Sequence, residues 1–346
     1  MKSYKALALI SGGLDSMLAA KMILDQGIHV EGINFFTGFC GDLLASIKCK
    51  KDAERVQHNA KRTADLLGVS LHVVDVSEDY KPIVINPKHG YGAHLNPCLD
   101  CKIFMLNKAL QWMKEHNFDF VITGEVMGQR PKSQLKHMLP IVARDSGLED
   151  RLLRPLSAQF LAPTLPEREG WVNRELLGDI SGRSRTKQME LVKKYGITEY
   201  AQPSGGCCFL IDANYTRRLR DLWKARGNKD YNLDDVALLM VGRHIRPKPY
   251  FKLIVGRDVA DNDFLEKYCD KFVILRSNSH KGPLVLVDGE INKDEDLDLA
   301  ARITAYYCSK HAGSAVQILI TSKNGEKRQV SALPFEDSKM LFGWYV

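Results

Sequence analysis

Apolar residues in the first part of the chain fall into short unbroken runs, separated by longer stretches in which apolar positions recur at helical spacing. The runs at 6–10, 30–36, 71–76 and 120–123 read as buried strands. Between them, a segment beginning near Ser16, a long polar stretch at about 52–67 and the stretch 103–115 read as helices. This alternation predicts an α/β fold, a parallel sheet with helices on both faces. Ligands of such sheets gather at the carboxyl ends of the strands. Three segments then converge on one edge: Ser11 to Ser16, the residues after Phe36 and the residues after Thr123.

A proline-marked stretch, from Arg154-Pro-Leu through Pro163-Thr-Leu-Pro166, ends the rhythm and predicts a boundary. Helical spacing returns at 186–195 and 215–225. The last hundred residues differ, with strand-like runs at 251–255, 272–275, 284–287 and 316–321 and one helical run at 296–307, a small α+β domain. The expected division is therefore 1–160, a connecting region at 161–245, and 246–346.

Composition places this pattern in a globular protein. Apolar residues make up 45% and charged residues 26% of the 346 residues, and no apolar run approaches the roughly 20 residues of a membrane span. Met1-Lys-Ser-Tyr-Lys5 leads directly into the first strand, which points to a cytoplasmic protein with no membrane partner. Of the formal charge of +7, +5 falls on residues 151–245. Arg183, Arg185, Arg217, Arg218, Arg220 and Arg226 lie there, either a track for a polyphosphate backbone or solvated helix faces.

The residues after the first strand read Ser11-Gly-Gly-Leu-Asp-Ser16. Glycines that let backbone N–H groups approach an anion, followed by a helix N-terminus, make a phosphate cradle, with Ser11 and Ser16 as hydroxyl donors. Asp15 would repel phosphate unless a cation lay between them, so it is read as a Mg²⁺ partner. The plainer alternative is an N-capped helix after a glycine turn.

Eight cysteines in a cytoplasmic chain do not suggest disulfides. Cys40, Cys49, Cys269 and Cys308 stand singly and read as incidental or buried residues. Cys98 and Cys101 form a CxxC in Asn96-Pro-Cys-Leu-Asp-Cys101, while Cys207 and Cys208 lie in a second glycine-rich segment, Ser204-Gly-Gly-Cys-Cys-Phe209. Three chemistries fit. Three thiolates can hold a [4Fe-4S] cluster with one iron open, two can form and resolve a persulfide, or zinc can close its shell with His89 or His94.

Taken together, these residues resemble the PP-loop ATP-pyrophosphatase superfamily, whose fingerprint is the motif at Ser11 to Ser16, and within it the tRNA-thiolating enzymes. Asn96-Pro-Cys-Leu-Asp-Cys101 is similar to the Asn-Pro-x-x-x-Cys segment of tRNA 2-thiouridylases, which would make Cys101 catalytic, with Cys98 at the position that is cysteine in members thought to carry a cluster. Cys208-Phe209 resembles their second cysteine motif, with Cys207 as the substitute. Gly124-Glu-Val-Met-Gly-Gln-Arg-Pro-Lys-Ser133 resembles a stretch of 4-thiouridine synthetases that frames the nucleotide pocket. The resemblance covers about residues 1–225 and implies an adenine nucleotide α-hydrolase-like fold.

It implies further that Ser11, Gly12, Gly13, Asp15, Ser16 and Gly124 serve ATP and Mg²⁺, while Gln129, Arg130 and Ser133 are read as contacts to phosphate or RNA and the 35–37 segment, with Phe36, as an adenine wall or an ordinary core run. Cys98, Cys101 and Cys208 would carry the sulfur chemistry or the cluster, with Lys102 read either as a cation that favours the thiolate or as a solvated helix residue. After Tyr250, Val255-Gly-Arg-Asp-Val-Ala-Asp-Asn-Asp-Phe-Leu265 and Ser279-His-Lys-Gly-Pro283 resemble an NFACT-type RNA-binding module. The implied activity is an RNA sulfurtransferase that adenylates a uridine carbonyl and replaces its oxygen with sulfur. Its implied partners are tRNA, a source of sulfide or persulfide, and a second copy of the chain as a homodimer. A PP-loop ligase acting on a small molecule, with a structural zinc, and a non-catalytic RNA-binding protein are the competing expectations.

Overall fold

A computed structural model describes residues 3–39, 59–201, 208–291, 293–308, 314–336 and 339–346. These divide into two compact units, the first ending at Ile211 and the second beginning at Asp212. The expected connecting region is thus shared between them, 161–211 with the first and 212–245 with the second.

In the first unit the chain runs β1 (Lys5–Leu9), α1 (Leu14–Leu24), β2 (His29–Phe36), α2 (Asn59–Leu67), β3 (Leu71–Asp75), α3 (Ser77–Ile85), α4 (Cys98–Glu115), β4 (Phe120–Thr123), α5 (Met138–Asp145), β5 (Leu152–Leu153), α6 (Leu165–Arg168) and α7 (Thr186–Lys194). The strands form one sheet in the order β3-β2-β1-β4-β5, with every pair parallel. Its strands are apolar at successive positions because both faces are covered. Ala6, Ala8, Phe120 and Ile122 point into one core layer, while Leu7, Ile33, Phe35 and Val121 point into the other. From β3 the chain crosses to the far side of β1 to make β4, so the switch point of the sheet lies between the carboxyl ends of β1 and β4.

Two features of this unit differ from the sequence reading. Helix α4 begins at Cys98, not at 103, so the CxxC occupies its first turn. Pro97 immediately precedes it, and Asp100 in the first turn complements the helix dipole. Helix α3 was not expected, because Pro82 within it interrupts the pattern. The part of the expected 52–67 helix before Asn59 lies outside the described residues.

The second unit opens with α8 (Ala213–Arg226) and α9 (Leu233–Met240). An antiparallel sheet follows, of β6 (Arg243–Lys248), β7 (Phe251–Val255), β8 (Val273–Ser277), β9 (Val285–Gly289), β10 (Val316–Thr321) and β11 (Lys327–Ala332) in the order β11-β10-β8-β9-β7-β6. Helices α10 (Val259–Leu265) and α11 (Asp294–Tyr306) interrupt the strands. Ala300, Ala301, Ile303 and Ala305 of α11 pack on Phe251, Leu253, Val285, Val287 and Ile318.

Two arginines expected to track a polyphosphate are occupied within this unit. Arg218 donates to the carbonyls of Leu239 (2.8 Å) and Gly242 (3.2 Å), and its burial, with Arg257 and Arg217 nearby, pushes it down to about 10. Arg226 makes a two-pronged pair with Asp235 at 2.8 and 2.6 Å. Long side chains at helical spacing do not reveal from sequence which of them turn back to serve as caps. Arg217 and Arg220 are exposed.

Candidate nucleotide and thiol site

The chain leaves β1 and turns sharply at Gly12, whose φ is +81°. A Cβ there would lie 2.5 Å from Asn59 Cβ at the start of α2, so only glycine satisfies both the backbone and the space. Gly13 is extended (φ −84°, ψ 156°) and is the N-cap of α1, so the left-handed turn belongs to Gly12 alone. Ser16 is buried and braces the loop from within. Its Oγ donates to the Gly13 carbonyl at 2.8 Å and accepts from Ser11 N at 3.3 Å. Ser11 is exposed. The first N–H groups of α1, with no intrahelical acceptor, thus face the carboxyl edge of the sheet at its switch point, as an anion site requires.

Asp15 lies in the first turn of α1. Its Oδ2 accepts from Gln129 Nε2 at 3.2 Å, while Oδ1 is buried with no hydrogen-bond partner. A buried, unsatisfied carboxylate oxygen beside a phosphate cradle has the donor chemistry of a Mg²⁺ ligand, so the residues present fit that ion.

The segment after β4 joins this loop to the thiols. Gly124 lies so close to α1 that an added Cβ would sit 2.4 Å from Ser16 N and 2.5 Å from Asp15 C. Five residues on, Gln129 holds Asp15. At the far end Ser133, 2% exposed, places its Oγ 3.7 Å from Cys98 Sγ. Just after it Gln134 fixes the turn, its side chain accepting from Arg130 N at 3.1 Å and its carbonyl from Gly128 N at 2.6 Å. One loop of the chain therefore touches both the carboxylate of the phosphate motif and the first thiol.

Cys98 and Cys101, both half-buried, share one face of α4 at i,i+3 spacing. The segment of Cys208 is tied down by two backbone bonds, Phe209 N to Phe39 O (3.1 Å) and Leu95 N to Leu210 O (3.2 Å). It is thereby anchored both to the residues after β2 and to those just before α4. Leu210 N also donates to Cys208 Sγ at 3.4 Å. Among the described residues, no three His, Cys, Asp or Glu side chains are gathered so as to hold a metal ion. The cluster expected on Cys98, Cys101 and Cys208 is therefore not shown. Nor does His89 turn to the thiols. Its Nδ1 is 2.9 Å from Asp100 and its Nε2 3.6 Å from Asp145. Cys308 is buried and Cys269 half-buried, and burial pushes both thiols up, as expected of unreactive cysteines. Cys40, Cys49 and Cys207 lie outside the described residues.

Other expectations are redistributed. Phe35 belongs to the core, leaving half-buried Phe36 at the end of β2 as the aromatic beside the site. Lys102 is not simply solvated, for its Nζ lies 3.7 Å from Glu125 Oε1. Glu125, only 2% exposed, also accepts from Arg154 Nε (3.0 Å) and Thr123 Oγ1 (3.2 Å). Burial pushes its carboxyl up, but Lys102 and Arg154 more than reverse this and hold it below the usual range. Sequence reasoning passed over Glu125, although it directly follows Gly124 in the quoted motif.

A glycine turn and helix N-terminus at the β1–β4 switch point have the geometry expected of a PP-loop, and here one segment joins them to a thiol pair. Residues 1–159 match the family model described as thiamine biosynthesis protein (ThiI), and residues 242–345 match that of the NFACT protein RNA binding domain. The first unit is therefore similar to the PP-loop tRNA thiouridine synthetases, and residues 242–345 are similar to an NFACT-type RNA-binding domain. The tRNA-specific 2-thiouridylase MnmA of Treponema denticola is 27% identical over 249 residues, 69% of this chain and 63% of that protein. The enzyme of the same name from Petrotoga mobilis is 29% identical over 232 residues, 64% of this chain and 59% of that one. A solved 4-thiouridine synthetase bound to RNA and ATP is 19% identical with a TM-score of 0.31, over 56% of this chain and 52% of that one. The chain spans about 63% of the length of the first curated relatives it matches.

Proposed function

We propose that this protein is an ATP-dependent RNA sulfurtransferase that converts a uridine of tRNA to thiouridine. The observation that carries the reading is the loop from Gly124 to Ser133, which holds Asp15 through Gln129 and reaches Cys98 through Ser133. A uracil carbonyl is a poor centre for substitution because its oxygen would have to leave as hydroxide. Its attack on the α-phosphorus of ATP expels pyrophosphate and leaves the oxygen bonded to AMP, a good leaving group.

The cradle at residues 11–16 receives the pyrophosphate on the N–H groups of α1. Asp15 would hold Mg²⁺, which supplies charge neutralisation for the departing phosphates. The terminal sulfur of a persulfide on Cys101 or Cys208 then attacks the base carbon and expels AMP. The other cysteine attacks the sulfur of the first, releasing the thiocarbonyl and leaving a disulfide that an external thiol reduces. A cysteine-desulfurase-derived persulfide, or sulfide added to that enzyme disulfide, supplies the sulfur. The NFACT-type domain supports RNA as the substrate.

Unmodified tRNA incubated with the full chain, ATP, Mg²⁺, a persulfide donor and a thiol reductant tests this. Pyrophosphate release that depends on RNA, with thiouridine detected by nucleoside mass spectrometry, is the expected result. Pyrophosphate release driven by a small carboxylate with no sulfur entering RNA would replace it with the ligase reading. Sedimentation of the same sample tests for the expected homodimer.

A further inference from the structure

Helix α7 and the residues before it form a wall beside the phosphate motif. Met127 and Ser181 pair as a parallel bridge, Gly182 N donates to Met127 O at 2.7 Å, and Gly13 pairs with Ala201 beyond the helix. Leu14 and Leu18 of α1 share a core with Val126, Ile180 and Val192. The segment from 181 to 201 is therefore pinned at one end to the loop carrying Gln129 and at the other to the glycine turn itself.

This wall holds charge and polarity with nothing to meet them. Arg185, the N-cap of α7, is half-buried; its Nε is buried without a hydrogen-bond partner, and no carboxylate pairs with it among the described residues. Gln188, fully buried on the same face of the helix at i,i+3, has both Nε2 and Oε1 unpartnered. Leaving a buried amide unsatisfied and a guanidinium unpaired is costly, and folded proteins keep such groups where a ligand completes them. The segment that carries them is tied to the proposed anion cradle through Gly13 and to the loop of Gln129 through Met127.

We infer that Arg185 binds the β- and γ-phosphates of ATP, and the pyrophosphate they become, with Gln188 behind it as a neutral partner. This reassigns Arg185 from the RNA backbone to the nucleotide, and it rests on the proposed use of ATP. A planar guanidinium pairs with two phosphate oxygens at once. AMP lacks the groups that Arg185 meets.

The test is titration calorimetry on the full chain with Mg²⁺-ATP, pyrophosphate and AMP. Arg185→Met should weaken ATP and pyrophosphate binding about ten- to hundredfold and change AMP binding less than about twofold, and Arg185→Lys should fall between. Gln188→Met should raise the melting temperature of the ligand-free protein by removing two unsatisfied buried atoms, yet still weaken ATP binding. Unchanged ATP and pyrophosphate affinity in Arg185→Met, with a loss of tRNA affinity instead, would return Arg185 to the RNA backbone and overturn the inference. If the unaltered chain bound no ATP, the proposed function would fail first, and this site with it.

Discussion

Glu125→Gln isolates the buried charge behind the nucleotide loop. The carboxylate is 2% exposed and its partner Arg154 6%, at 3.0 Å, whereas the Lys102 contact is looser, at 3.7 Å. Glutamine keeps the volume and removes the charge, leaving Arg154 buried without its counter-ion. Breaking a buried pair from one side costs about 3–5 kcal/mol, and the quarter-exposed Lys102 adds little to that. In a domain of about 150–250 residues each kcal/mol moves the melting temperature by about 2–4 °C, so a fall of about 6–20 °C is expected. Differential scanning calorimetry at pH 7 measures it, with the second unit as the internal reference. The sign with pH follows from the lowered carboxyl. Its stabilisation is fully present above the unfolded value of about 4.3 and is lost as pH falls through the folded one, so variant and parent should converge in acid. The double variant Glu125→Leu with Arg154→Met should recover at least half of the loss, because an apolar pair of similar volume replaces a buried ion pair at little cost. A shift below about 2 °C at neutral pH, or a gap that does not narrow in acid, would refute the reasoning.

Gly124→Ala drives a methyl group into the backbone of Asp15 and Ser16, so it should cost about 1–3 kcal/mol and weaken ATP binding at least about tenfold, read by calorimetry with and without nucleotide. Cys101→Ala and Cys208→Ala should each abolish sulfur incorporation while leaving ATP affinity within about twofold, and thiouridine formed by either variant would remove that cysteine from the chemistry. Asp15→Asn should lose Mg²⁺-dependent pyrophosphate release and keep its fold, because the amide still bonds Gln129, as seen by release assay and circular dichroism. Arg218→Met should destabilise the second unit by about 1–3 kcal/mol by stripping the donors from Leu239 and Gly242. RNA affinity per folded molecule should not change, and a loss at equal folded fraction would show that Arg218 reaches the RNA after all.

Much of the first unit was legible because a buried parallel strand needs unbroken apolar residues, and 120–123 was read to its ends. The site was legible where backbone chemistry restricts the residue. Gly12 must be glycine for two independent reasons, and Asp15 is out of place beside phosphate without a cation. What escaped was decided by tertiary contacts. Nothing local in Gly124-Glu-Val says that Glu125 will be sealed against Arg154, 29 residues away. Helix α4 was begun too late because Asn-Pro-Cys-Leu-Asp reads as a loop, although Asp100 there complements the dipole and binds His89. The arginines of α8 looked alike in sequence, and only packing separated half-buried Arg218 from exposed Arg217 and Arg220. Polar β11 was missed because an exposed edge strand has no apolar alternation to show.

The loop from Gly124 to Ser133 gives the proposed two-step reaction its physical logic. An adenylated carbonyl is as open to water as to sulfur, so the yield of thiolated base depends on the thiol standing ready when pyrophosphate leaves. A flexible linker between cradle and cysteines would leave that to diffusion. Here the loop has little freedom at either end, since Gly124 is pressed on the first turn of α1 and buried Ser133 meets Cys98 at the first turn of α4. Gln129, bound to the carboxylate that would carry Mg²⁺, lies within the same short segment. On the proposed mechanism, a change in phosphate occupancy at Asp15 would have only a few residues to cross before reaching the helix that carries both thiols. Gln129→Ala should accordingly leave adenylation nearly intact but increase the pyrophosphate released per thiouridine formed. Equal coupling in the variant and the parent would show that loop and thiols act independently.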